Sequence, residues 1–184
     1  MTRITLPASI GDAPTAAQPL LKAVEGQLGM VPNLFRLIGN SPAALEGYLG
    51  LSGALGKGRL SLARREAIAL AVAEANGCGY CLAAHTYVGR EMARLSTREI
   101  SANRGGESSD EATQAALRFA LDLISHRGRV SAAAVSGLRS HGFGEDEVVE
   151  IVAAVAMNLM TNFLNNALAT PIDFPEVEAL LEIA

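Results

Sequence analysis

The stretch Glu66-Ala-Ile-Ala-Leu-Ala-Val-Ala-Glu-Ala-Asn-Gly-Cys78-Gly-Tyr-Cys81-Leu-Ala-Ala-His85 decides how this chain is read. An Ala-rich helical run carrying Glu66 meets a helix stop at Asn76-Gly77. Both cysteines follow, in a C-x-x-C, and His85 comes four residues after the second. If the runs before and after Asn76-Gly77 form an antiparallel hairpin, Glu66 and His85 reach the same height, because each residue advances a helix by about 1.5 Å. A helix opening at Cys78 puts Cys81 and His85 on one face, a turn apart. A Glu66–His85–Cys81 proton relay is then feasible, with His85 as the base. C-x-x-C is also the spacing of a redox dithiol, whose sulfurs can close into a small ring and of which one thiolate is readily activated. The free N–H groups of a helix start favour Cys78 as the more acidic thiol, whereas the nearness of His85 favours Cys81.

Working outward, the rest of the chain predicts an all-α scaffold. Apolar residues are 49%, charged residues 18% and aromatics 4%, and Trp is absent. That is enough apolar material for a core, too little charge for a disordered chain, and a composition suited to close-packed helices. Helices are expected over 16–28, 33–38, 42–55 (capped by Ser41 with Pro42 at its first position), 62–76 (capped by Ser61), 78–94, 97–103, 112–126, 132–140 (capped by Ser131) and 145–168. Ser108-Ser-Asp-Glu111 has the spacing of a capping box for the 112–126 helix. Residues 1–14 read as an extended N-terminal arm. Pro171 ends the long helix, and 175–181 reads as a helical turn within a C-terminal tail, 171–184. No linker divides the chain, so 1–184 is expected to be a single domain.

Net charge is −4 without a polybasic run, so nucleic acid and anionic membrane are not expected partners. The N-terminus lacks a signal-peptide pattern, and the apolar window 148–164, broken by Asn158 and Asn162, is expected to fall short of a membrane span. A soluble, cytoplasmic protein follows, and in a reducing compartment a C-x-x-C points to redox or metal chemistry. One C-x-x-C with one histidine supplies three of the four ligands of a structural zinc site, so no metal or cofactor is expected. Asn158, Asn162, Asn165 and Asn166 recur at helical spacing in an apolar run and read as hydrogen-bonded interior or interface.

The chain resembles the AhpD-like alkylhydroperoxidases of the carboxymuconolactone decarboxylase superfamily. Leu60-Ser-Leu-Ala-Arg-Arg-Glu66, Cys78-Gly-Tyr-Cys81 and His85 carry the likeness. Val31-Pro-Asn-Leu-Phe35, Phe119-Ala120, Gly128-Arg-Val130 and Thr170-Pro-Ile-Asp-Phe-Pro175 extend it to the peroxidase-related branch over nearly the whole chain. The resemblance implies an AhpD-like fold built on a helical hairpin, a trimer or hexamer, and a thiol-dependent peroxidase or disulfide reductase. It implies that Cys81 is oxidised to a sulfenic acid, that Cys78 closes the disulfide, and that Glu66 and His85 relay the proton. A hydroperoxide is then the substrate, and a dithiol or lipoyl-type group, free or protein-borne, is the reductant. A helical sensor or assembly module whose dithiol only reports redox state is the alternative from another class, and the superfamily's decarboxylases generally lack the cysteine pair, which ranks that activity last. Where the best characterised members carry a histidine before the second cysteine, this chain has Tyr80. A phenol titrates far too high to act as a base near neutral pH, but it can donate a hydrogen bond.

Overall fold

The computed structural model describes residues 2–178. It is all-helical, with no strand among those residues. The order is a 3₁₀ turn at Ile10–Asp12, then α1 (Gln18–Leu28), α2 (Asn33–Ile38), α3 (Pro42–Leu55), α4 (Leu62–Ala75), α5 (Gly79–Glu91), α6 (Thr97–Arg104), α7 (Glu111–Ser125), α8 (Ala132–Ser140) and α9 (Glu145–Leu168).

Helix α4 is the axis of the molecule. Every residue from Glu66 to Glu74 is buried, and α5, α6, α7 and α9 all pack on it. Alanines at 67, 69, 71 and 73 make this possible, because short side chains let neighbouring backbones approach on several sides. Two apolar clusters meet at α4. One joins it to α7, α8 and α9 through residues such as Leu117, Phe119, Leu138 and Ile151. The other joins it to α1, α2, α3 and α5 through Leu21, Leu34, Leu45 and Leu82, and it contains both cysteines.

The hairpin forms as its turn chemistry demands. Asn76 caps α4, and Gly77 takes a left-handed φ of 58°, which costs glycine no Cβ clash. Ser41, Ser61 and Ser131 each accept a hydrogen bond from the backbone N–H three residues on. Glu145, Asp146 and Glu147 occupy the first turn of α9, at the positive end of its dipole.

Four expectations are corrected. Cys78 is the N-cap of α5, not its first residue. Asp110, not Ser108, caps α7, because its carboxylate accepts from the Thr113 N–H at 2.8 Å while Ser108 and Ser109 turn back to Glu99. Residues 175–178 are not helical, and the rest of that predicted turn lies outside the described residues. Helix α9 is, by length and composition alone, apolar enough to cross a membrane, with a mean hydropathy of 1.5. Its face through Ile151, Ala154, Val155, Asn158, Asn162 and Asn165 is instead buried in the fold. The arm at 1–14 also carries the 3₁₀ turn, and Arg3 ties it to α9 through the Ala167 and Leu168 carbonyls.

The buried middle of α4 carries two acidic side chains, Glu66 and Glu74. Arg104 at the end of α6 donates its Nε–H to Glu74 at 2.8 Å and Nη2 to the Glu178 carbonyl. Both side chains of this ion pair are under a tenth exposed, at 8% and 2%. Arg104→Ala, which strips a buried carboxylate of its guanidinium, should lower stability by about 3 kcal/mol in urea unfolding. Arg139→Ala, which breaks the exposed pair to Glu145, should leave the midpoint essentially unchanged.

Candidate active site

Helices α4 and α5 bring Glu66, Cys78, Cys81 and His85 together. The His85 Nδ1 lies 2.8 Å from Glu66 Oε2, the same-height contact that an antiparallel hairpin produces. A carboxylate can only accept, so Nδ1 carries the proton and Nε2 is left as the basic nitrogen. Burial works against a charged imidazole, but the Glu66 carboxylate and the Cys81 thiolate outweigh it and raise the His85 pKa. His85 and Cys81 lie one turn apart on α5 and influence each other through charge rather than a direct hydrogen bond.

The two sulfurs are not equivalent. Both are free thiols and almost fully buried, Cys78 at 0% and Cys81 at 2% exposed. Cys78 Sγ accepts the Cys81 N–H at 3.3 Å, which is the one helix-start donor it gains. Cys81 Sγ gathers more. It accepts from the Cys78 thiol, sits near the His85 charge, and accepts from Asn165 Nδ2 at 3.2 Å. The Cys78 hydrogen bond does most to bring the Cys81 pKa down to about 7, against the opposing effect of burial. Cys78 moves the other way, because it donates its proton to Cys81, is buried, and faces a neighbouring negative charge. The helix-start argument for an acidic Cys78 does not carry, because the proton it donates to Cys81 and its burial outweigh the N–H at the N-cap and the Asn165 amide, which both favour its anion.

Tyr80 between the cysteines is buried and structural. Its hydroxyl donates to Asp173 Oδ1 at 2.8 Å and accepts from the Leu34 N–H at 3.1 Å. Asp173 Oδ2 also accepts the Asn33 N–H at 2.7 Å, and Phe174 packs edge-on against Tyr80 at 5.9 Å. The segment after α9 is thus strapped across the C-x-x-C. Burial and the nearby carboxylate raise the Tyr80 pKa, so it stays a phenol.

Under the strap lies a chamber of about 150 Å³ that reaches Cys81, Glu66 and His85. Its walls are mainly Leu34, Phe35, Val88 and Phe174, with Tyr48. Burial, helped by the negative charge of Cys81 and Glu66, pushes the Tyr48 hydroxyl up to about 12, so it remains a donor. On the other side of Glu66 and His85, a larger groove of about 760 Å³ runs between α1, α3 and α9. A cleft between α7 and α8 contains His141 and Arg118 but none of the four expected site residues. Among the described residues no group of three or more His, Cys, Asp or Glu side chains is placed to hold a metal ion.

Tyr48, Asn165 and Asp173 escaped the sequence reading of the site. Asn165 was visible only as one member of the α9 asparagine set and Asp173 only within the Thr170–Pro175 stretch of the resemblance, and Tyr48 gave no local signal.

Residues 42–126 match the carboxymuconolactone decarboxylase family. The fold matches that of an AhpD-core, peroxidase-related protein from Ralstonia eutropha, with a TM-score of 0.82, 26% identity, and 94% of this chain and 92% of that chain covered. A peroxidase-related protein from a Silicibacter species matches with a TM-score of 0.81 and 26% identity over 92% of this chain and 91% of that one. The debrominase Bmp8, crystallised with 2,3,4-tribromopyrrole, shares the fold at a TM-score of 0.77 and 24% identity, with 94% of each chain covered. No curated relative matches the sequence. Residues 42–126 thus carry the pattern of the carboxymuconolactone decarboxylase family, and the fold is that of the AhpD-core, peroxidase-related proteins.

Two outcomes test this geometry. Alkylation of Cys81 by iodoacetamide, followed by peptide mass, should rise through a midpoint near pH 7, while Cys78 stays inert over the same range. Equal reactivity of the two thiols would contradict it. Tyr80→Phe, which removes a hydrogen bond to a carboxylate, should cost about 1.5–3 kcal/mol in thermal or urea unfolding and leave the Cys81 midpoint in place.

Proposed function

We propose that the protein is a dithiol peroxidase that reduces organic hydroperoxides with its own cysteine pair. The observation that carries this reading is the Cys81 sulfur, acidic and hydrogen-bonded, at the end of an apolar chamber beside a Glu66–His85 pair at 2.8 Å. The superfamily's peroxidase-related members support it.

His85 takes the Cys81 proton, and the thiolate attacks the terminal oxygen of the hydroperoxide. An S–O bond forms, the O–O bond breaks, and the departing alkoxide takes the proton from His85 to leave as an alcohol. Glu66 holds the imidazole and steadies its charge. Cys81 is now a sulfenic acid. The Cys78 sulfur displaces its oxygen as water, and the pair becomes a disulfide. An external dithiol returns two electrons and two protons and is itself oxidised to a disulfide. With both sulfurs at or near zero exposure, a slender lipoyl-type arm suits this step better than a disulfide held in another folded protein.

The protein is also read as a homo-oligomer, a trimer or hexamer by resemblance. Helix α3 is apolar yet buries only Leu45 and Leu55, and α9 exposes Val149 at 67% and Phe163 at 60%. A second copy of the chain would cover such surfaces.

Cumene hydroperoxide should be consumed in the presence of dihydrolipoamide, and Cys81→Ser should abolish turnover. Cys78→Ser should instead leave a dimedone-reactive sulfenic acid on Cys81. Turnover that survives Cys81→Ser sinks the proposal. Light scattering at micromolar concentration should give a multiple of 19.1 kDa, and a monomeric mass would refute the assembly.

A further inference from the structure

Asn162 and Asn165 lie on the buried face of α9 with Asn158, at 0% and 4% exposure. Their surroundings do not satisfy them. Asn165 Nδ2 spends its hydrogen bond on Cys81 Sγ at 3.2 Å, and its Oδ1 has no partner. Neither Nδ2 nor Oδ1 of Asn162 has a partner, although this amide is near enough to the same sulfur to favour its anion. Asn158, one turn earlier, is satisfied in the ordinary way by the Ala154 carbonyl at 2.9 Å. Leaving a buried polar group unpaired costs about 1–3 kcal/mol. A neutral thiol is too weak an acceptor to offset that, whereas a thiolate accepts strongly. The Nδ2–H donors of these two costly amides are served best when the Cys81 sulfur carries charge; the Oδ1 atoms, being acceptors, gain nothing from it.

The placement is one-sided. Cys81 opens to the chamber, to which α9 contributes Thr161 and neither asparagine. The amides meet the sulfur from behind and leave its front free for a reactant.

We propose that Asn165, with Asn162 one turn before it, forms an amide cradle that holds the Cys81 sulfur as a thiolate. The proposal rests on the dithiol reading of this site, but its readout does not depend on peroxide turnover. The titratable groups around Cys81 are Cys78 and His85 on α5, Glu66 on α4, Tyr48 on α3, and Tyr80 with Asp173 of the strap. None of them is altered in the test.

The test is the pH profile of Cys81 alkylation by iodoacetamide in the full-length protein, with thermal melting alongside. Asn165→Ala should slow alkylation at pH 7 about fivefold, the effect of a one-unit rise in a thiol pKa that starts near 7, and the rate should rejoin wild type above pH 9. Asn165→Asp, nearly isosteric but anionic beside the sulfur, should move the midpoint further up. Asn162→Leu removes an unpartnered amide, so it should raise the midpoint without lowering the melting temperature. Midpoints that stay at the wild-type value in Asn165→Asp and Asn162→Leu overturn the cradle, whatever happens to Asn165→Ala. Shifted midpoints in a protein that turns over no hydroperoxide leave the cradle standing and remove the peroxidase reading. Normal turnover with unmoved midpoints does the reverse.

Discussion

The structure depends on burying α4 along its whole middle. A helix closed in by α5, α6, α7 and α9 has no exposed face on which to leave a charge, yet it carries Glu66 and Glu74. Each carboxylate therefore needs a cation delivered by another element. The two sites lie about 12 Å apart along the helix. At one, α6 supplies Arg104, and the result is a fixed tie that also holds the Glu178 carbonyl. At the other, α5 supplies His85, a group that gains and loses a proton near neutral pH. The same physical demand yields a structural clamp at one end and, in the proposed function, proton-handling chemistry at the other.

The reactive sulfur is assembled around the second of these pairs. Helix α5 brings the cysteines and His85, α4 brings Glu66, α9 brings the two amides, and the strap after α9 closes the chamber with Phe174. Tyr80 fastens that strap through Asp173. The tyrosine between the cysteines thus serves closure, and in the proposed reaction the proton work falls to His85. In the proposed reaction an apolar wall suits the leaving alcohol, and the near-complete burial of both thiols disfavours large disulfides.

The hairpin was legible in the sequence because its signals are local. Asn76-Gly77 can only end a helix, and helical rise alone puts Glu66 opposite His85. Serine caps at 41, 61 and 131 were legible for the same reason. The misses share a different character. Moving the start of α5 by one residue, from Cys78 to Gly79, converts Cys78 from a helix-start thiolate into a donor to Cys81. Ser108 and Asp110 both offer a plausible cap, and only the pull of Glu99 on the serines decides between them. The strap has no periodicity to read, since its path is set by Asp173 finding Tyr80 and Asn33, both far away in the chain. Asn162 and Asn165 look like ordinary interior amides until the sulfur they face is known.

The most direct test of this account is the rate of Cys81 oxidation by an organic hydroperoxide at pH 7 in Glu66→Gln, measured as a single turnover against wild type. Gln keeps the shape of the side chain but removes the charge that holds His85 as a base beside Cys81. The account predicts a loss of about a hundredfold or more in a protein that still folds. An unchanged rate constant would contradict it, because the buried carboxylate would then be no part of the chemistry.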